Sequence, residues 1–122
     1  MSTNVIVLGA SNKPERYSYQ AVKLLKELGH NPLAVHPKIK EIDSLPVYSS
    51  LKDIKDIKID TITIYVNPEI SSGSYEQILA LKPARVIFNP GAENPELIHK
   101  LEGAAIHTLE ACTLVLLRTG QF

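Results

Sequence analysis

The sequence predicts a doubly wound α/β fold, with five parallel strands in one sheet and helices on both faces. Three observations predict it. Short apolar runs alternate with stretches of helical spacing, the links between them are short, and the first run, Val5-Ile6-Val7-Leu8, has no polar face. A strand buried on both sides reads that way, and βαβ units with short links require right-handed crossovers that cover both faces. The expected spatial order is 3-2-1-4-5, with a crevice at the carboxyl ends where the order reverses beside strand 1.

Each element follows in turn. Strand 1 is Val5 to Leu8. From Ser18 the spacing becomes helical, with Ala21, Val22, Leu24, Leu25 and Leu28 on one side, Ser18 as N-cap and Gly29 as the stop. Pro32 to Val35 forms strand 2. The stretch through Leu45-Pro46-Val47-Tyr48 reads as irregular, and one helical turn follows near Leu51 to Ile54. Thr61 to Val66, β-branched and aromatic, is strand 3. Ser74 to Leu81 is helical, Arg85 to Phe88 is strand 4, Pro95 to Leu101 is a helix ended by Gly103, and Ala105 to Leu109 is strand 5. The apolar tail, Cys112 to Leu117, fits either a helix or a strand.

Composition narrows the function. At 122 residues the chain suits a single domain, 1–122, with one hydrophobic core. Thirteen basic and thirteen acidic residues cancel, so no global field attracts nucleic acid or an anionic membrane. The five tyrosines are too scattered for a base-stacking platform. The four histidines form no i,i+4 pair and have no cysteine partner, so no metal site is expected. Cys112 stands alone, which excludes an internal disulfide and suits a reducing compartment. Met1-Ser2-Thr3-Asn4 leads straight into a strand without a signal-type segment, and no apolar run has membrane-spanning length. A cytoplasmic location is expected.

The chemistry concentrates where strand 1 stops. Gly9-Ala10-Ser11-Asn12-Lys13-Pro14 is a small polar turn between a strand and a helix, where backbone N–H groups and a helix N-terminus converge on an anion. The dinucleotide pattern G-x-G-x-x-G would need glycines at Ser11 and Pro14, and the P-loop would need one at Pro14. Neither is met. The turn is also one residue away from the hydrolase elbow G-x-S-x-G, with Lys13 in place of the second glycine. His107 has no acid to complete a triad, so Ser11 reads as a turn residue or phosphate ligand rather than a nucleophile. Three strands leave the sheet through X-Pro pairs, His36-Pro37, Asn67-Pro68 and Asn89-Pro90, which put polar side chains on the same edge as Gly9. After strand 2 an NAD site needs a carboxylate for the ribose hydroxyls, whereas this chain has His36-Pro37-Lys38. A lysine there suits a phosphorylated ribose, as in NADP or coenzyme A.

The chain resembles the small stand-alone CoA-binding proteins related to the CoA-binding domain of the succinyl-CoA synthetase alpha subunit. The residues that carry the resemblance are Val7 to Pro14 with Ser18, Val35-His36-Pro37-Lys38, Leu45 to Tyr48 with Leu51, Tyr65-Val66, Asn89-Pro90-Gly91-Ala92 and Cys112. His36 stands where that family usually has Asn, and Ala111-Cys112 stands for its Arg-Cys. The resemblance implies a Rossmann-like domain that binds CoA or acyl-CoA. In it Gly9, Ala10, Ser11, Lys13 and Ser18 meet the phosphates, and His36, Pro37 and Lys38 lie near the adenosine end. Tyr65, Val66, Asn67, Asn89 and Gly91 line the pantetheine path. Cys112 itself reads as a small buried hydrophobe, with a meeting with the CoA thiol as the alternative. The synthetase's second domain has no counterpart here, so the expected role is a non-catalytic carrier or regulator. An NADP-binding oxidoreductase-like protein and a detached CoA-ligase subunit that needs a partner chain are the alternatives.

Overall fold

The alternating side-chain directions of a strand buried from Val5 to Leu8, β1 (Asn4–Leu8), organise the molecule, for which a computed structural model describes residues 3–122. Met1 and Ser2 of the expected strand lead-in lie outside the described residues. Ile6 and Leu8 turn to one face of the sheet, where Ile62, Ile64, Val86 and Phe88 join them against Ile78, Leu97 and Leu101 of two helices. Val5 and Val7 turn to the other face and pack with Ala34, Val22, Leu25 and Leu117. Period-2 side chains on a parallel strand thus feed two cores, one on each face.

The elements after β1 are α1 (Tyr17–Glu27), β2 (Asn31–Val35), β3 (Glu41–Ile42), β4 (Leu45–Tyr48), a 3₁₀ turn at 51–53, and β5 (Thr61–Ile64). There follow α2 (Pro68–Ser71), a second 3₁₀ turn at 72–74, α3 (Tyr75–Leu81), β6 (Arg85–Phe88), α4 (Pro95–Gly103), β7 (His107–Glu110) and α5 (Thr113–Arg118). The sheet is Rossmann-like and mostly parallel, with seven strands in the order β3-β4-β2-β1-β5-β6-β7. This corrects the expected five-stranded sheet of order 3-2-1-4-5. The stretch read as irregular is β4, which pairs in parallel with β2 through Ala34–Val47 and Val35–Tyr48. It takes the place beside β2 that Thr61–Ile64 was expected to fill. Thr61–Ile64 pairs on the other side of β1 instead. Pro46 disguised the strand, yet it precedes the rungs with β2 and so interrupts none of them. A two-residue turn at Asp43 and Ser44, both with positive φ (49° and 68°), folds β3 back on β4.

Tyr48, Val35, Leu8, Ile64, Phe88 and Glu110 pair rung to rung, so the six parallel strands finish level. Everything after that row belongs to loops and helix starts on the carboxyl edge. Smaller differences have local causes. Ser18 is not the N-cap but a buried residue in the first turn of α1, whose cap is Arg16. Gly29 ends α1 as expected: its N–H reaches Lys26 O (3.1 Å) while the His30 N–H reaches Leu25 O (2.9 Å). Ala105 has φ 64°, so β7 starts at His107. The tail is helical.

Candidate functional site

The loop after β1 is built around Gly9. Its φ is +88°, and a Cβ there would sit 2.7 Å from Val66 Cγ1 and 3.3 Å from the Val66 nitrogen. Only glycine allows the β1 and β5 ends to close to this distance. Gly9 and Ala10 N–H groups both donate to Val35 O (3.0 and 3.2 Å), and the Tyr65 N–H donates to Leu8 O (2.9 Å). The loop is thereby stitched to both neighbouring strands. Beyond it, the Lys13 N–H donates to Ser11 Oγ (3.1 Å), a side-chain turn that leaves the hydroxyl's own proton free to donate.

Two cavities flank this loop and meet at Gly9 and His36. The larger, about 630 Å³, lies over the start of α1 and is lined by Gly9, Ala10, Ser11, Lys13, Glu15, Arg16, Tyr17, Ser18, His36, Ile39, Tyr65 and Pro90. The smaller, about 360 Å³, lies on the α3 side and is walled by Leu8, Val35, Pro37, Leu51, Val66 and Ile70, with Ser49, Ser50 and Gln77 around them. One is polar and cationic, the other largely apolar.

Helix ends explain the first. Asn67 Oδ1 accepts from the Ile70 N–H (3.1 Å) and caps α2, and Asn94 Oδ1 accepts from the Leu97 N–H (3.1 Å) and caps α4. α1 has no side-chain cap and no acidic residue in its first turn. Its opening N–H groups and the positive end of its dipole therefore remain available beside the larger cavity. Lys13 and Arg16 add formal charge there. Among the described residues the one ion pair is Lys26–Asp43, so neither cation is neutralised.

His36 does the work of an asparagine. Its Nδ1 accepts from the Lys38 N–H (3.0 Å) and the Ile39 N–H (3.2 Å), the turn an Asn Oδ1 would make at the same place. With Nδ1 accepting, the neutral ring carries its proton on Nε2. Tyr65 is different. Its hydroxyl is enclosed and has no hydrogen-bond partner among the described residues. Burial pushes the phenol up to about 12, and the neighbouring Cys112 thiol adds to the shift. The nearby Thr113 and Thr63 hydroxyls pull the other way but lie outside bonding geometry.

The larger cavity brings together Gly9, Ala10, Ser11, Lys13, Ser18, His36 and Tyr65, and the smaller adds Pro37 and Val66. Five other residues of the expected site line neither cavity. Lys38 is exposed, and Asn67 is taken up by its cap. Gly91 sits in an exposed turn, where its N–H donates to Glu93 Oε1 (2.9 Å). Cys112 is half-buried at the N-cap of α5. Asn89 is buried, with Nδ2 donating to Thr63 Oγ1 (2.6 Å) and Ile64 O (3.0 Å) and Oδ1 accepting from the Thr113 N–H (2.8 Å). Arg16 and Tyr17 were missed, although their place just ahead of the helical spacing was a usable signal. Ile70 and Gln77 come from distant segments and had none, whereas Leu51 was among the residues that carry the resemblance. Among the described residues no acidic, histidine or cysteine cluster could hold a metal, and no helix is long and apolar enough to cross a membrane.

A level carboxyl edge, a glycine loop and an uncapped helix beside cations define a nucleotide-type binding fold. The chain belongs to the CoA-binding domain family, whose model matches residues 3–118. This bears out the resemblance to the small CoA-binding proteins. The chain is 32% identical over 101 residues to the uncharacterized protein YneT of Bacillus subtilis (strain 168), which covers 83% of this chain and 74% of YneT. A crystal structure of an uncharacterized protein superposes with a TM-score of 0.92 at 38% identity, over 100% of this chain and 99% of that one. The fold also recurs in the dinucleotide-forming acetyl-coenzyme A synthetase 1 of Ca. Korarchaeum cryptofilum, with a TM-score of 0.74 at 20% identity, over 89% of this chain but only 25% of the synthetase.

Proposed function

We propose that this protein is a single CoA-binding domain that holds CoA or an acyl-CoA across the carboxyl edge of its sheet, as a carrier or regulator without chemistry of its own. One observation carries the reading: a cationic cavity at an uncapped helix start adjoins an apolar one at Gly9 and His36. CoA has a matching layout, with a polyanionic middle between an aromatic base and a long thiol arm. The phosphates lie over α1 beside Lys13 and Arg16, and the adenine lies in the apolar cavity near Pro37. The pantetheine arm passes Tyr65 and Pro90 toward Cys112. The non-catalytic role is supported by Ser11, whose hydroxyl serves its own turn.

The test is ligand choice. A ligand at a hundredfold excess over its Kd adds about 2.7 kcal/mol, a Tm rise of roughly 10 °C for a domain of this size. CoA at submillimolar concentration is expected to give a shift of this kind and NAD none. A larger shift with NADP than with CoA would replace this reading by the NADP one.

The cations supply a second prediction. Lys13→Ala and Arg16→Ala each cost about 1.5–3 kcal/mol of CoA binding, the range for hydrogen bonds to charged groups. Lys38→Ala weakens CoA but spares dephospho-CoA, because the exposed Lys38 reaches only a phosphate on the ribose. Calorimetric titration of both ligands decides it. Equal losses on the two would place Lys38 elsewhere.

A further inference from the structure

The apolar cavity has one wall that does not belong to the sheet. α2 and the 3₁₀ turn after it supply Ile70, Gly73 and Ser74 to that cavity, and Ile70 is 58% exposed on its own. A four-residue helix has little intrinsic stability, and few buried contacts hold this one. Besides its own Asn67 cap, a side chain from another element holds it. Asn94, 3% exposed, donates through Nδ2 to Ser71 Oγ (2.8 Å), Ser72 Oγ (3.0 Å) and, at 3.3 Å, Pro68 O. Its Oδ1 meanwhile caps α4 through the Leu97 N–H. One amide therefore does two separable jobs, the acceptor serving α4 and the donor serving α2.

We propose that Asn94 is a positioning residue for the ligand: its Nδ2 fixes α2 as the wall of the apolar cavity and so sets affinity for the group that cavity holds. The proposal rests on the CoA reading for the identity of that group, the adenine. Asn94 touches no part of the ligand site itself; it acts through Ser71, Ser72 and the Pro68 carbonyl.

Asn94→Ser separates the two jobs. A hydroxyl keeps the acceptor that caps α4, since Ser and Asn are equally good N-caps. It removes Nδ2 and with it all three donations to α2 and the turn after it, while Pro68 O keeps its bond from the Ser72 N–H. Ser71→Ala removes the shortest of the three bonds without altering Asn94 and serves where Asn94→Ser does not fold. Hydrogen exchange reads the wall directly. The Ile70 and Ser71 amides, bonded to Asn67, should exchange at least tenfold faster in either variant, while those of Leu97 and Ile98 in α4 stay as in the wild type. Adenosine 3′,5′-bisphosphate, which carries the adenine but no thiol arm, should bind about tenfold more weakly. Inorganic pyrophosphate, which needs only the cationic cavity, should bind within about twofold of the wild type. Unchanged α2 exchange in both variants would overturn the positioning role and leave Asn94 as a helix cap alone. Equal losses for bisphosphate and pyrophosphate would overturn it too. Failure of the wild type to bind either CoA or the bisphosphate would instead overturn the CoA reading, with the exchange rates still deciding the role of Asn94 in α2.

Discussion

Gly9→Ala is expected to abolish the Tm shift produced by CoA and to lower the stability of the free protein. A non-glycine residue held in the left-handed region costs about 1–3 kcal/mol, and here the added Cβ would also lie 2.7 Å from Val66 Cγ1. Val66 must move, and with it the β5 end that separates the two cavities. Gly91 provides the control. It too has positive φ (+91°), but a Cβ there meets nothing within 4 Å. Gly91→Ala should therefore show the backbone cost alone and keep the CoA shift. Thermal scans of both variants with and without CoA make the comparison. A Gly9→Ala protein that still responds to CoA like the wild type would show that the loop's close approach to β5 is not needed for binding.

Asn89→Ala is expected to be the most destabilising single polar change. It removes three hydrogen bonds from a side chain that is 2% exposed and strands the Thr113 N–H, whereas the Ile64 carbonyl keeps its bond from the Asn89 backbone N–H (3.3 Å). An unsatisfied buried group costs about 1–3 kcal/mol and each of the other lost bonds about 1 kcal/mol, so a total loss of about 3–5 kcal/mol should appear in urea unfolding. The start of α5, and Cys112 with it, should loosen first, because the loss of Asn89 leaves the Thr63–Thr113 hydroxyl bond (2.7 Å) to tie that start to β5. A loss below about 1 kcal/mol would mean that water or a neighbouring side chain takes over these bonds.

These residues also mark how far the sequence can be read. Apolar periodicity located β1, β2, β5 and β6 to within a residue or two, since a strand buried on both faces leaves a local signature in residues such as Val5 to Leu8. β4 left none. Leu45-Pro46-Val47-Tyr48 has two apolar neighbours around a proline, and its strand character comes from pairing with Ala34 and Val35. Missing it displaced Thr61–Ile64 to the wrong side of β1, so a single unread strand accounts for the whole error in sheet order. The glycine loop was legible because Gly9, Ser11 and Lys13 fall within one turn. The Asn-Pro pairs were less so. Asn67, Asn89 and Asn94 share a dipeptide, yet the first caps an exposed helix, the second clamps two layers, and the third caps one helix while holding another. Their roles depend on what the rest of the chain brings within 3 Å, and no local pattern encodes that.

The two hydrophobic cores on opposite faces of the sheet bear on more than stability. α1 and α5 pack on one face, α3 and α4 on the other, and the sheet is what they have in common. Such layers can open separately, each as its own cooperative unit. A molecule seated in both cavities would touch Tyr17 and Ser18 on one side and Ile70 and Gln77 on the other. It would act as a rivet through the sheet's rim, so that neither layer could peel away without releasing it. Occupancy would then be reported far from the carboxyl edge, as a change in whether the two halves unfold apart or together.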